Sequence, residues 1–376
     1  MGPWIIFLAV ASLLLLAITY VKRGRASPRL EIPFVVIGFI VFAVFLRVIA
    51  TRFDVYPDTW ALHLAKNIER QLQSALADDS VQDLIFFEGS SYSARGLDGA
   101  MFGRLVGKKL NRNTRVVQMT LDGANHFERS WVLDTVLSRL DKEQWARLRS
   151  KHVTLMSEIQ RGYDFDPLNG FIRNQGTLRT YAYMTPLNAV DGLRAVSSLG
   201  GLAVTSTAVL FPHVATHVLI NAFSIGMAER GITFEEVAPA AGYQPLARSK
   251  RGFRFGGMRD VLAEARNPGE NGLAPPSWLD QVKLPRYRRI FSGALDDVGY
   301  YAVVSTESAD LEYAEAFCRH HREELCLTYG DGALIRKLDR RSDWNDARHM
   351  RKSGAVKFTR WFARRYVRDV TRRTTP

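Results

Sequence analysis

Leu84-Ile85-Phe86-Phe87-Glu88-Gly89-Ser90-Ser91-Tyr92-Ser93 decides how this chain is read. It is a short apolar run that stops at a glycine and passes into hydroxyl residues. Leu97, Met101 and Leu105, spaced four apart, predict a helix after it. A serine there sits at the carboxyl end of a strand and the amino end of a helix. Unpaired backbone N–H groups and the positive end of the helix dipole favour negative charge at that point. An acyl-transfer nucleophile gains most in such a place, because negative charge develops on the oxygen under attack. Glycine-serine turns after strands are common, so this one needs a partner elsewhere in the chain.

Asp346-Ala347-Arg348-His349 supplies a candidate. A serine nucleophile needs a base to take its proton, and the base needs a group that fixes its tautomer and stabilises the imidazolium. An aspartate three residues before a histidine can provide both from one loop. Gly354 and a helical C-terminal stretch follow.

These two blocks carry a resemblance to a family. Gly89-Ser90-Ser91-Tyr92-Ser93 resembles the first block of the SGNH (GDSL-like) hydrolases, and Asp346-x-x-His349 with Gly354 downstream resembles their last block. The resemblance implies a three-layer α/β/α fold with a parallel, flavodoxin-like sheet. It implies Ser91 as nucleophile, His349 as base and Asp346 as its orienter. Gly123 falls at the second block, which implies an oxyanion hole built from the N–H groups of Ser91 and Gly123, with the Asn125 amide as a further donor. The neighbouring His126 reads as a surface or cap residue. Ser90 stands where many members carry aspartate. This Gly-Ser-Ser variant resembles membrane-anchored members that work beside membrane-bound O-acyltransferases on teichoic acid, alginate or other envelope polymers. The sequence departs from the family at the third block: Ser157-Glu158-Ile159-Gln160 stands where Gly-x-Asn-Asp is expected.

With 376 residues and 47% apolar content, the chain has room for two or three domains and can bury a core. Two cysteines exclude a disulfide-stapled scaffold. Cys318 reads as a buried helix thiol and Cys326 as a strand thiol, with pairing as the alternative in an oxidising compartment. The formal charge of +13 is concentrated late, from Arg336 to Arg373. Such a face suits an anionic polymer, anionic lipid or nucleic acid, or is simply solvated. No nucleic-acid motif accompanies it, so that partner ranks last.

Residues 3–21 form an apolar run without charge, and residues 33–50 form a second, broken only by Arg47. Each approaches the roughly 20 residues a helix needs to span a bilayer. The basic loop Lys22–Arg29 between them is expected to face the cytoplasm. Both chain ends are then expected on the outer side of the cytoplasmic membrane. A cleaved signal peptide fits less well, because the charges follow the first run. Residues 1–52 therefore read as a two-pass anchor and 53–376 as the catalytic domain.

Within that domain the spacing predicts a helix over 58–76. Strands are expected at 84–91, 115–121, 152–156, 300–305 and 325–329, alternating with helices. That alternation argues for a parallel sheet with ligands at the strands' carboxyl ends. Residues 163–278 break the pattern and read as a mainly helical insertion. His213 and His217 share a helix face there, but no acidic residue or cysteine at matching spacing completes a metal site. No cofactor or metal enters the reading.

The expected function is serine-dependent acyl transfer onto an extracytoplasmic glycan or polymer. Cytosolic acyl-CoA does not reach an external site, so a membrane-bound O-acyltransferase is implied as the donor partner. The alternatives are a carbohydrate or lipid esterase, and a non-catalytic glycan-binding or scaffolding partner of an acyltransferase.

Overall fold

All seven residues of Asp83–Gly89 (β1) are buried. A strand that is apolar on both faces needs cover on both, as parallel sheets between helices have. The computed structural model describes residues 60–167, 252–258, 261–263 and 274–374, with a few single positions between 191 and 246. Elements are numbered over those residues. The two apolar runs at 3–21 and 33–50 lie outside them, as does most of the 163–278 insertion. Among the described residues no helix is long and apolar enough to cross a membrane.

The order is α1 (Trp60–Ala77), β1, α2 (Ser91–Gly96), α3 (Gly99–Leu110), β2 (Thr114–Thr120), α4 (His126–Leu137), α5 (Lys142–Arg149), β3 (His152–Glu158) and α6 (Arg161–Asp164). After the insertion come a π-helical turn (Leu279–Lys283), α7 (Leu284–Ile290), β4 (Asp297–Tyr301), α8 (Ser308–His320), β5 (Leu325–Leu327), α9 (Gly332–Leu338) and α10 (Lys352–Thr374). The strands form one parallel sheet in the order β2-β1-β3-β4-β5. That is the flavodoxin-like order of a doubly wound α/β sheet, whose ligands sit beyond the carboxyl ends of the strands.

Phe86 and Phe87, adjacent on β1, point to opposite faces of the sheet. Phe87 packs edge-on against Phe102 of α3 at 5.0 Å and tilts against Phe362 of α10 at 6.0 Å. Phe86 packs edge-on against Phe291, just after α7, at 5.1 Å. The C-terminal helix buries Ala355, Phe358, Trp361, Phe362 and Tyr366 against the sheet. The sequence suggests an apolar face of Val356, Trp361, Phe362, Val367 and Val370; of these Trp361 and Phe362 are buried and the three valines are only partly so.

Three readings change. The helix expected after Ser91 is two helices, because Asp98 caps a fresh start at Gly99 by accepting the Met101 N–H at 2.8 Å. The amphipathic segment after His126 is likewise split. Asp141 and Gln144 form a capping box that begins α5, and each backbone N–H finds the other's side chain. Cys318 and Cys326 are not separate thiols but a disulfide, with 5.4 Å between their Cα atoms. The chain leaves α8 at His320 and enters β5 at Leu325, and this tight return brings the two within bridging reach.

Candidate active site

The turn after β1 is built for a close approach. A Cβ on Gly89 would lie 2.6 Å from the Ser93 Cβ and 2.8 Å from the Tyr301 hydroxyl, so glycine is required there. Ser90 is extended at φ −95°, ψ −162° and caps α2, its Oγ accepting the Tyr92 N–H at 3.2 Å. Ser91 is therefore the first residue of the helix, where backbone N–H groups have no intrahelical partner. Its side chain is half-buried.

The second half of the site is a local motif. Asp346 Oδ1 accepts the backbone N–H groups of Arg348 and His349, each at 3.0 Å. The same oxygen faces His349 Nδ1 at 2.8 Å. Asn345 Nδ2 donates to Asp346 Oδ2 at 2.8 Å. The loop is pinned from outside: Arg348 makes a two-pronged pair with Glu307 at 2.7 and 2.8 Å, and Thr306 donates twice to the Ala347 carbonyl. Behind the loop, a Cβ on Gly354 would come within 2.6 Å of the Asp343 carbonyl oxygen, so this glycine lets α10 close on the turn.

His349 Nε2 lies 2.9 Å from Ser91 Oγ. Ser91, His349 and Asp346 are thus hydrogen-bonded in series across 258 residues of chain. The His349 and Asp346 side chains are 25% and 26% exposed, so solvent reaches both about equally. Burial works against the Asp346 charge. The Arg348 N–H, the imidazole and the Asn345 amide outweigh it and hold the carboxyl below its ordinary value. The Tyr92 ring packs edge-on against the imidazole at 5.6 Å and limits its swing.

Gly123 lies in the turn after β2, at the same edge of the sheet, with φ +64°. That value favours glycine. The turn is docked on the Ser91 segment, because the Leu121 N–H donates to the Gly89 carbonyl at 3.1 Å and Arg95 of α2 pairs with Asp122 at 2.7 Å. Asn125 is buried at the amino end of α4, and its Oδ1 accepts the Glu128 N–H at 3.0 Å. That leaves the amide nitrogen as the donor end of the side chain.

His126 is not a surface residue. It is 2% exposed and lies between two carboxylates, 3.1 Å from Glu88 and 2.8 Å from Asp164. It belongs to a buried charged layer beneath the nucleophile turn. Arg129 reaches Glu88 at 2.9 Å, Lys283 reaches it at 3.6 Å, and the Ser157 hydroxyl donates to it. Burial opposes the Glu88 charge, but Lys283, Arg129 and His126 hold its carboxyl well below the ordinary range. Glu158, from the departing third block, accepts the Ser90 N–H on Oε2 and lies 3.9 Å from Arg129. Burial pushes its carboxyl up. Sequence reading missed this layer. Its one local signal was Glu88, a charge inside an otherwise apolar strand.

No protein-family model matches the chain, and no curated protein matches it.

Proposed function

We propose that this protein is a serine-dependent O-acyltransferase with an SGNH-type fold, acting on an extracytoplasmic glycan or polymer. The observation that carries the reading is the hydrogen-bonded series Ser91–His349–Asp346, with Ser91 at a helix start. Binding alone has no need of such a series. The sheet order 2-1-3-4-5 and the glycine-bearing turn at Gly123 support it. The Cys318–Cys326 disulfide suits an oxidising compartment, in line with an external domain on a two-pass anchor at residues 1–52.

In this mechanism Ser91 Oγ attacks the acyl carbonyl carbon as His349 Nε2 takes the hydroxyl proton. Asp346 stabilises the resulting imidazolium. The oxyanion is met by the N–H groups of Ser91 and Gly123 and by the Asn125 amide. Collapse expels the donor's leaving group, which takes the proton from His349 and leaves an ester on Ser91. An acceptor hydroxyl then gives its proton to His349 and attacks the ester carbonyl, and Ser91 recovers its proton as the acyl group departs. A membrane-bound O-acyltransferase hands the acyl group across the bilayer.

The test is to replace Ser91 by alanine in cells and assay the O-acyl content of envelope polymers, alongside fluorophosphonate labelling of the purified chain. Loss of both supports the reading. Unchanged acyl content together with Ser91-independent labelling refutes it. Turnover of aryl acetate with water as sole acceptor, and none onto sugar, assigns the site to an esterase instead.

A further inference from the structure

The second cluster of chemically capable side chains is at the end of α8. His320 is the last residue of the helix. His321 leaves it at φ −100°, ψ 43°, so the two imidazoles diverge from neighbouring positions. Their ring centroids are 5.0 Å apart. The disulfide between Cys318 and Cys326 closes the loop that carries both. Asp280, on the π-helical turn, faces them. One ligand atom from each of Asp280, His320 and His321 lies within 4.8 Å of the other two.

His321 is 4% exposed and sandwiched, stacked on Phe317 at 4.4 Å and against Tyr300 at 4.9 Å. Its Nε2 is buried without a hydrogen-bond partner. The nearest counter-group is Asp280 Oδ1 at 3.9 Å, too far for a hydrogen bond. If Nε2 carries a proton, the donor is unsatisfied. If it carries a lone pair, that pair faces a carboxylate. Either way a buried polar atom needs something between the two groups. The neutral imidazole is the form that ligates metals. Glu324 Oε2 stands 3.8 Å from Nδ1, also beyond hydrogen-bond range.

We propose that Asp280, His320 and His321 bind a divalent transition-metal ion of the zinc class at the disulfide-closed end of α8. Metal–ligand bonds of about 2.0–2.2 Å in a tetrahedron set ligand atoms about 3.4 Å apart. Small rotations of the exposed His320 and Asp280 side chains close the observed spacing onto that value. Three protein ligands leave a fourth position for solvent. The ion ties the π-helical turn, where the chain returns from residues 163–278, to the carboxyl end of α8. The same turn carries Lys283 to Glu88, so ligation at Asp280 also steadies one wall of the charged layer under Ser91.

The test uses the full chain, disulfide intact, stripped with a chelator and titrated with Zn2+ or Co2+ alone. One equivalent should bind, cobalt should show the visible bands of four-coordination, and zinc should raise the melting temperature. Asp280→Asn and His320→Ala alter exposed groups and should keep the metal-free melting temperature. Each should lose the thermal shift and weaken binding by at least about 100-fold. His213→Ala/His217→Ala should change nothing. Absence of binding, with water left as the bridging group, overturns the proposal. So does binding that survives both Asp280→Asn and His320→Ala.

Discussion

Replacing Asp346 by asparagine separates two things an orienting carboxylate does. It fixes which imidazole nitrogen bears the proton, and it lowers the energy of the imidazolium. Oδ1 already accepts two backbone N–H groups, from Arg348 and His349, as well as facing Nδ1. An asparagine must keep its oxygen in that place, because turning the amide over would aim donors at two backbone donors. The oxygen can then still accept from Nδ1–H, and the tautomer survives. What is lost is charge, together with the hydrogen bond that the Asn345 amide donates to Oδ2. A unit pair about 4 Å apart is worth about 4 kcal/mol at an effective dielectric of 20. With both partners about a quarter exposed, solvent screening trims this to roughly 2.5–4 kcal/mol, or about 10²–10³ in rate.

The assay is the rate at which a fluorophosphonate modifies Ser91, which needs neither the natural donor nor the acceptor. Asp346→Asn should react about 10²–10³ more slowly than the native chain. Asp346→Ala, which also dissolves the turn, should be slower still. If Asn falls to the level of Ser91→Ala, the amide has turned over and the argument from Oδ1 is wrong. If Asn loses less than about tenfold, the carboxylate's charge plays no part in activating Ser91.

Three further outcomes test the scaffold. Arg129→Met leaves Glu88 and Glu158 buried with less compensation and should cost about 3–5 kcal/mol in urea unfolding; a loss below 1 kcal/mol would show the charged layer to be hydrated in solution. Glu88 has a depressed folded pKa, so its contribution to stability is complete above the ordinary carboxylate range and is lost as pH falls through and below it. The urea midpoint should therefore drop more steeply between about pH 6 and pH 3 in the native chain than in Glu88→Gln, and parallel slopes would contradict the assignment. Reducing Cys318–Cys326, which spans 8 residues, should cost about 2.5 kcal/mol by loop-closure entropy, seen as a lower melting temperature in dithiothreitol.

What could be read from the sequence was what local pattern encodes. The run 84–91 announced a strand, a glycine and a capped helix because each signal lies within a few residues of the next. Asp346 and His349 were visible as a pair for the same reason, since their geometry is a turn that Asp346 makes with its own neighbours. The meeting of that turn with Ser91 depends on sheet order, which the alternation of strands and helices constrained. The charged layer was not legible. Arg129, Lys283 and Asp164 look like ordinary polar positions along the chain, and only the fold aims them at Glu88 and His126. The disulfide stood only as the alternative reading of the two cysteines, and the Asp280–His320–His321 group was missed, because both depend on how the chain turns after α8. The helix breaks at Asp98 and Asp141 were missed, because apolar spacing runs through both positions while the caps depend on side-chain geometry.

The substitution in the third block bears on the proposed chemistry. Where the family pattern calls for a donor, β3 ends in Glu158, which accepts the Ser90 N–H. An ionised carboxylate so close to a developing oxyanion would raise the barrier. Two features blunt that effect. Burial pushes the Glu158 carboxyl up, and Arg129 stands 3.9 Å away. In exchange the nucleophile turn is anchored to β3 from beneath by a hydrogen bond to its own backbone. On this reading the third block supplies position rather than charge. Stabilisation of the oxyanion then rests on the N–H groups of Ser91 and Gly123 and on Asn125. The turn that presents Gly123 is held to α2 by Arg95 and Asp122, so in the proposed mechanism those two residues would position the oxyanion donor without touching it. A site that fixes its nucleophile this firmly, yet keeps its base a quarter exposed, suits an acceptor hydroxyl that arrives on a polymer and must reach the acyl-serine from solvent.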